Sequence, residues 1–84
     1  MTYTYATSGT CSRQIDFELD GNIIKNVVFT GGCNGNLQGI SKLVEGMTAE
    51  EAINRLRGIC CGSKPTSCPD QLATALAAAL EKQQ

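Results

Sequence analysis

Four cysteines and the short run around the last of them hold most of the chemistry this chain can do. They are Cys11, Cys33, Cys61 and Cys68, the last within Thr66-Ser67-Cys68-Pro69-Asp70. The chain has no histidine and no tryptophan. Thiols are therefore its main reactive side chains, and a Ser–His or Cys–His nucleophile is excluded. A thiolate binds soft and borderline metals, and it attacks disulfides. Four thiolates suit structural Zn²⁺ or an iron–sulfur cluster, whereas Mg²⁺ and Ca²⁺ prefer oxygen ligands. Beyond the thiols, Asp16 and Asp70 are the carboxylates that could join such a site. The fifth cysteine, Cys60, directly precedes Cys61. Two adjacent cysteines rarely both reach one tetrahedral ion, so Cys60 reads as a small buried hydrophobe. No Cys-x-x-Cys knuckle is present. The assignment of the other four to a metal therefore rests on their placement.

The elements that must place them follow from periodicity. Tyr3 and Tyr5 alternate with Thr2, Thr4 and Thr7, the pattern of a short edge strand, and Ser8-Gly9-Thr10 breaks it. Ile15, Phe17 and Leu19 alternate with Gln14, Asp16 and Glu18, a strand with one buried face that leaves the carboxylates to solvent. Asp20-Gly21-Asn22 is a turn, and Ile23 to Phe29 completes a β-hairpin. The second hairpin strand is apolar on both faces through Ile23, Ile24, Val27 and Val28, which predicts a central place in the sheet. Leu37, Ile40, Val44 and Met47, with Leu43 beside them, recur at helical spacing up to Gly46. Thr48-Ala49-Glu50-Glu51 is a capping box for a second helix carrying Ile53 and Leu56, closed by Gly58. Residues 60–66 form a loop with Gly62 and Pro65. Ser67 and Asp70 repeat the Ser-x-x-acid start, with Pro69 tolerated in the first turn. Leu72, Ala75, Leu76, Ala79 and Leu80 give the last helix its apolar stripe, and Glu81-Lys82-Gln83-Gln84 is expected to fray. Strands first and helices after predict an α+β fold. About three helices cover one face of a small antiparallel sheet, which is a hairpin plus an N-terminal edge strand.

In that frame each of the four cysteines sits at an edge. Cys11 precedes a strand, Cys33 lies in the Gly-rich turn from strand to helix, Cys61 is in the loop before the last helix, and Cys68 is in that helix's first turn. Cys33 and Cys68 near helix N-termini are placed to ionise, because the backbone N–H groups and the dipole favour a thiolate. Gly31-Gly32-Cys33-Asn34-Gly35 lets backbone approach an ion closely. The same run is a weak phosphate cradle, because it lacks the Lys and Ser/Thr of a P-loop and the spacing of a dinucleotide fingerprint.

Composition narrows the classes further. The 84 residues form one domain, 1–84, with seven basic and eight acidic residues and a net charge of −1. Arg13, Lys25, Lys42, Arg55, Arg57 and Lys64 read as solvated charges, so no basic field exists for nucleic acid or anionic lipid. No apolar run approaches the roughly 20 residues of a membrane helix, and the first residues do not form a signal peptide. A cytoplasmic setting is expected, where thiols stay reduced and read as ligands or redox groups. A chain of this size is marginal without a metal, a disulfide or a partner subunit, so a homo-oligomer is possible.

Thr66-Ser67-Cys68-Pro69-Asp70 spells the signature of the TSCPD domain family. Cys11-Ser12-Arg13, Phe29 to Gly39, Leu43-Val44-Glu45-Gly46 and Cys61-Gly62 also resemble its small stand-alone members. The resemblance covers essentially the whole chain, and the family's four cysteines fall on Cys11, Cys33, Cys61 and Cys68. It implies a link to cobalamin-dependent ribonucleotide reductases, which carry a related domain at their C-terminus. A radical-bearing barrel takes about 200 residues or more, so the chain is expected not to be a ribonucleoside-diphosphate reductase on its own. In layout the chain is more distantly similar to U-type iron–sulfur cluster scaffold proteins. That similarity implies Cys11, Cys33 and Cys68 as ligands of Zn²⁺ or a nascent cluster, and iron–sulfur assembly proteins as partners. Two features depart from the scaffold pattern. Ser12 and Arg13 stand where an acidic residue closely follows the first scaffold cysteine, and no histidine precedes Cys68. Cys61 is proposed as the fourth ligand.

Three functions are consistent with these features. The first is a metal- or cluster-binding module, accessory to ribonucleotide reduction. The second is a thiol redox accessory or regulator of a ribonucleotide reductase. The third is a purely structural interaction domain.

Overall fold

The structure is a computed structural model that describes residues 2–7, 12–32, 34–59 and 66–83. The expected break at Ser8-Gly9-Thr10 and the loop residues Gly62 and Pro65 lie outside the described residues, as do Cys11, Cys33, Cys60 and Cys61. Three strands come first: β1 (Thr2–Ala6), β2 (Ser12–Asp20) and β3 (Ile23–Gly31). Three helices follow: α1 (Asn34–Val44), α2 (Ala49–Leu56) and α3 (Cys68–Gln83). The sheet is antiparallel in the order β1-β2-β3.

The alternation along β2 does what its period of two dictates. Ile15, Phe17 and Leu19 are buried, and Tyr3 and Tyr5 pair beside Phe17 and Ile15 on the same face. The Tyr3 and Phe17 rings stack at 5.5 Å between centroids. The opposite face is polar: the Thr4 hydroxyl donates to the Asp16 carboxylate at 2.7 Å, and Thr2 reaches Glu18. All three helices add to a core on the apolar face, through Val44, Ala52, Ile53, Leu72, Leu76 and Ala79 among others. The α+β layout with helices on one face is therefore the observed one.

The central strand is β2, not β3, and this corrects the expectation drawn from the double-faced apolar pattern of β3. The pattern has another cause. A β-bulge sets Asn26 and Val27 together opposite Phe17, between the pairs Glu18↔Lys25 and Asp16↔Val28. The extra residue shifts the phase, so Ile24 and Val27 both point inward while Val28 is left 55% exposed. Asn26 takes φ 56, a left-handed conformation that Asn tolerates better than most residues. Its N–H is held by the Glu45 carboxylate at 2.9 Å and its side chain by Glu18. The outer edge of β3 is closed near its start by the segment between α1 and α2. Ile24 N–H donates to Met47 O and Gly46 N–H to Ile24 O, both at 2.9 Å, and Ile23 bridges Thr48.

Local stop and start signals act where expected. The hairpin turns at Gly21, whose φ of 64 suits the first central position of a II′ turn. Gly46 ends α1 at φ 84, which puts Met47 past the stop, on the β3 edge, and not on the helix. Leu43 is on the outer side of α1, 78% exposed. Thr48 caps α2 by accepting from Glu51 N–H at 3.2 Å. The Glu51 carboxylate turns to Arg55 at 3.0 Å, so the box is closed on one side. The end of the chain holds more helix than expected, since α3 runs through Gln83.

Candidate functional site

The candidate site lies where the open end of the hairpin meets the start of α3. A second bulge builds it. β2 advances two residues, Gln14 to Ser12, while β3 advances one, Thr30 to Gly31. Strict alternation would send Ser12 to the solvent face with Gln14 and Asp16. The extra residue, Arg13, reverses the phase and turns Ser12 inward, where it is 2% exposed. There its Oγ lies 3.1 Å from Cys68 Sγ, and either group can supply the hydrogen. Cys68 is 6% exposed and opens α3, with Ser67 as the preceding cap.

The other signature residues form a clamp across residues 60–65. Ser67 Oγ accepts from Asp70 N–H at 3.2 Å and donates to Ile59 O at 2.6 Å. One Asp70 carboxylate oxygen accepts from Gly58 N–H at 2.7 Å, and the other accepts from the Thr66 hydroxyl. Gln71 Nε2 donates to Thr66 Oγ1 at 3.1 Å. Thus Gly58-Ile59 and Thr66-Ser67, on either side of residues 60–65, are tied to one another. The Thr66 hydroxyl, then the Gly58 N–H, hold the Asp70 carboxyl below the usual carboxylate range, and the Arg57 charge adds to them. A similar tie spans residues 8–11. Thr7 N–H donates to Arg13 O at 3.1 Å, and the Thr7 hydroxyl donates to Ser12 O.

Of the four cysteines proposed as ligands, the described residues include Cys68. Cys11, Cys33 and Cys61 lie outside them, and so does Cys60. Among the described residues no three Cys, Asp or Glu side chains come together as metal ligands. The flanks of the cysteines do come together. Ser12 follows Cys11, pairs with Gly31 two residues before Cys33, and touches Cys68. Ser67 precedes Cys68 and bonds Ile59, two residues before Cys61. Gly31 and Gly32 both have φ near 80°, at 83° and 82°, a backbone path glycine takes without strain.

The carboxylates weighed as extra ligands have other work. Asp70 anchors the clamp. Asp16 lies on the outer sheet face, where the hydrogen bonds of Thr4 and then Gln14 lower its pKa. Ser12 is the site residue that sequence reasoning missed. Its signal was present only as its place next to Cys11, because the pattern of β2 assigns its position to solvent. A separate shallow cleft of about 270 Å³ between β3 and α1 is lined by residues including Val28, Gly31, Gln38 and Lys42.

The profile of the TSCPD domain matches residues 1–80, and the chain belongs to that family, which relates it to ribonucleotide reductases. No curated protein and no solved structure shows a significant match. No helix among the described residues is long and apolar enough to cross a membrane.

Proposed function

We propose that this chain is a small thiolate module in which Cys11, Cys33, Cys61 and Cys68 share one Zn²⁺ ion or one iron–sulfur cluster. It serves in the cytoplasm as an accessory to ribonucleotide reduction. The observation that carries the reading is the convergence of flanks on the Ser12–Cys68 contact. Consecutive Cα atoms are about 3.8 Å apart, so a residue one or two positions from a fixed point has a short reach. Each of the three other cysteines is one or two positions from a residue in this contact network.

The local chemistry suits a thiolate. A hydroxyl beside Cys68 Sγ can donate to a negative sulfur, and the N-terminal end of the α3 dipole favours the charge. When bound, Zn²⁺ supplies a cross-link between the sheet end and the helices, and a cluster supplies one-electron chemistry. The described flanks would hold the ligands in place: Asp70, Thr66 and Ser67 tie together the two sides of residues 60–65, and Thr7 those of residues 8–11.

The family relation also supports the second reading, a thiol redox accessory that passes electrons to a ribonucleotide reductase. Cys68 is 6% exposed, which weighs against its own part in such exchange, because disulfide exchange needs access to the attacking thiolate.

The test is elemental analysis with an absorption spectrum on protein purified anaerobically without a polyhistidine tag. About one zinc per chain, or iron with matching sulfide, is expected, lost in Cys33→Ser and Cys68→Ser. Unchanged metal content in both variants rejects the site. Absence of metal, with a cysteine pair that cycles under thioredoxin in mass-shift alkylation, turns the conclusion to redox chemistry.

A further inference from the structure

We propose that Ser12 is a positioning residue for the thiolate site, donating its hydroxyl hydrogen to Cys68 Sγ; the proposal rests on the reading of Cys68 as a metal ligand. In a thiol, either atom of this 3.1 Å pair can give the hydrogen. Once the sulfur is a thiolate it has none to give, so the hydroxyl is the donor. The contact joins residues 56 positions apart, both deep in the structure. It also depends on a specific backbone irregularity. Without the extra residue at Arg13, Ser12 would face solvent with Gln14. Bulges of this kind re-aim a side chain at a chosen place. This one puts a small hydroxyl against the first residue of α3.

Two consequences follow for a bound metal. A hydrogen bond to a coordinating sulfur fixes its orientation, and loss of such an outer partner typically costs about 10–100-fold in metal affinity. It also lowers the energy of the sulfur lone pair, so its removal moves the sulfur-to-metal charge-transfer band to longer wavelength.

The experiment titrates Co²⁺ alone into reduced, metal-free protein. The wild type is compared with Ser12→Ala, which removes the hydroxyl, and Ser12→Thr, which keeps it on a residue suited to strands. Near-ultraviolet charge transfer, affinity and thermal melting are recorded for each. The expected result is one Co²⁺ per chain throughout. Ser12→Ala should lose about tenfold in affinity and shift the band to longer wavelength, and Ser12→Thr should recover both. Ser12→Gly supplies the same comparison if alanine prevents folding. An unmoved band and affinity in the hydroxyl-free variant, whatever its melting temperature, overturns the proposal and leaves the metal reading standing. A wild type with no thiolate band overturns both, and the two failures are told apart by that spectrum.

Discussion

The two ends of the hairpin are held in different ways. At the turn end, the β3 edge is closed chiefly by main-chain bonds, Ile24 with Gly46 and Met47, and Ala49 N–H to Asn22 O at 2.7 Å, with exposed side-chain ties from Glu45 to Asn26 and Glu50 to Asn22 beside them. Many side chains can satisfy such contacts, because every residue but proline carries the same donor and acceptor. At the open end the ties run through side chains: Ser12 to Cys68, Ser67 to Ile59, Asp70 to Gly58 and Thr66, and Thr7 to Ser12. These need particular atoms at particular positions. The turn end is built for stability. The open end keeps together the residues that flank Cys11 and residues 60–65, and its signature run Thr66–Asp70 is mostly a clamp between Gly58-Ile59 and the start of α3.

The largest effect expected from this difference is at the turn end. Ile24 is fully buried, and Ile24→Ala should cost about 2–5 kcal/mol of stability in chemical denaturation. The fraction that remains folded should take up metal with wild-type affinity. A matching loss of affinity would erase the distinction between the two ends.

An intermediate effect is expected at Asp70. Its folded-state pKa is depressed by Thr66 and Gly58. Such a group binds fewer protons folded than unfolded, so its contribution is complete above the unfolded carboxylate value near 4. It is lost as the pH falls through the lower folded value. Asp70→Asn should therefore destabilise the protein at neutral pH by about 1–2 kcal/mol. It should also flatten the acid limb of the stability curve and weaken metal binding. Asp16→Asn also removes a lowered carboxyl, but on the outer sheet face, and should leave metal binding alone. Equal effects of the two on metal binding would show that the clamp does not position the loop.

The smallest effect separates two helix caps. Thr48→Ala and Ser67→Ala each remove a side-chain acceptor at a helix start and should each cost about 1 kcal/mol. Ser67→Ala also releases Ile59, so it alone should slow or weaken metal uptake. Identical metal titrations for the two variants would reduce Ser67 to a cap.

Much of the fold was legible because its signals are local. The period of two in Ile15-Phe17-Leu19, the turn at Gly21 and the cap at Thr48 are contained in a few residues each. The family signature marked Cys68 and its neighbours without showing their division of labour. Asp70 looked like a spare ligand. Its engagement with Gly58 spans 12 positions, and local pattern carries no trace of it. The double apolar face of β3 was misleading for a related reason. It records a phase shift at Asn26, and a bulge becomes visible only when the partner strand supplies the register.

The amino-acid sequence by itself determined the elements, the turn at Gly21, the cap at Thr48 and the α+β order. Those follow from side-chain type and spacing along one strand or helix. The tertiary structure alone decided that β2 is central, that Ser12 turns inward against Cys68, and that Asp70 holds a loop. Each depends on which backbone groups of distant segments pair. A one-residue slip in that pairing moves a side chain from one face of the sheet to the other.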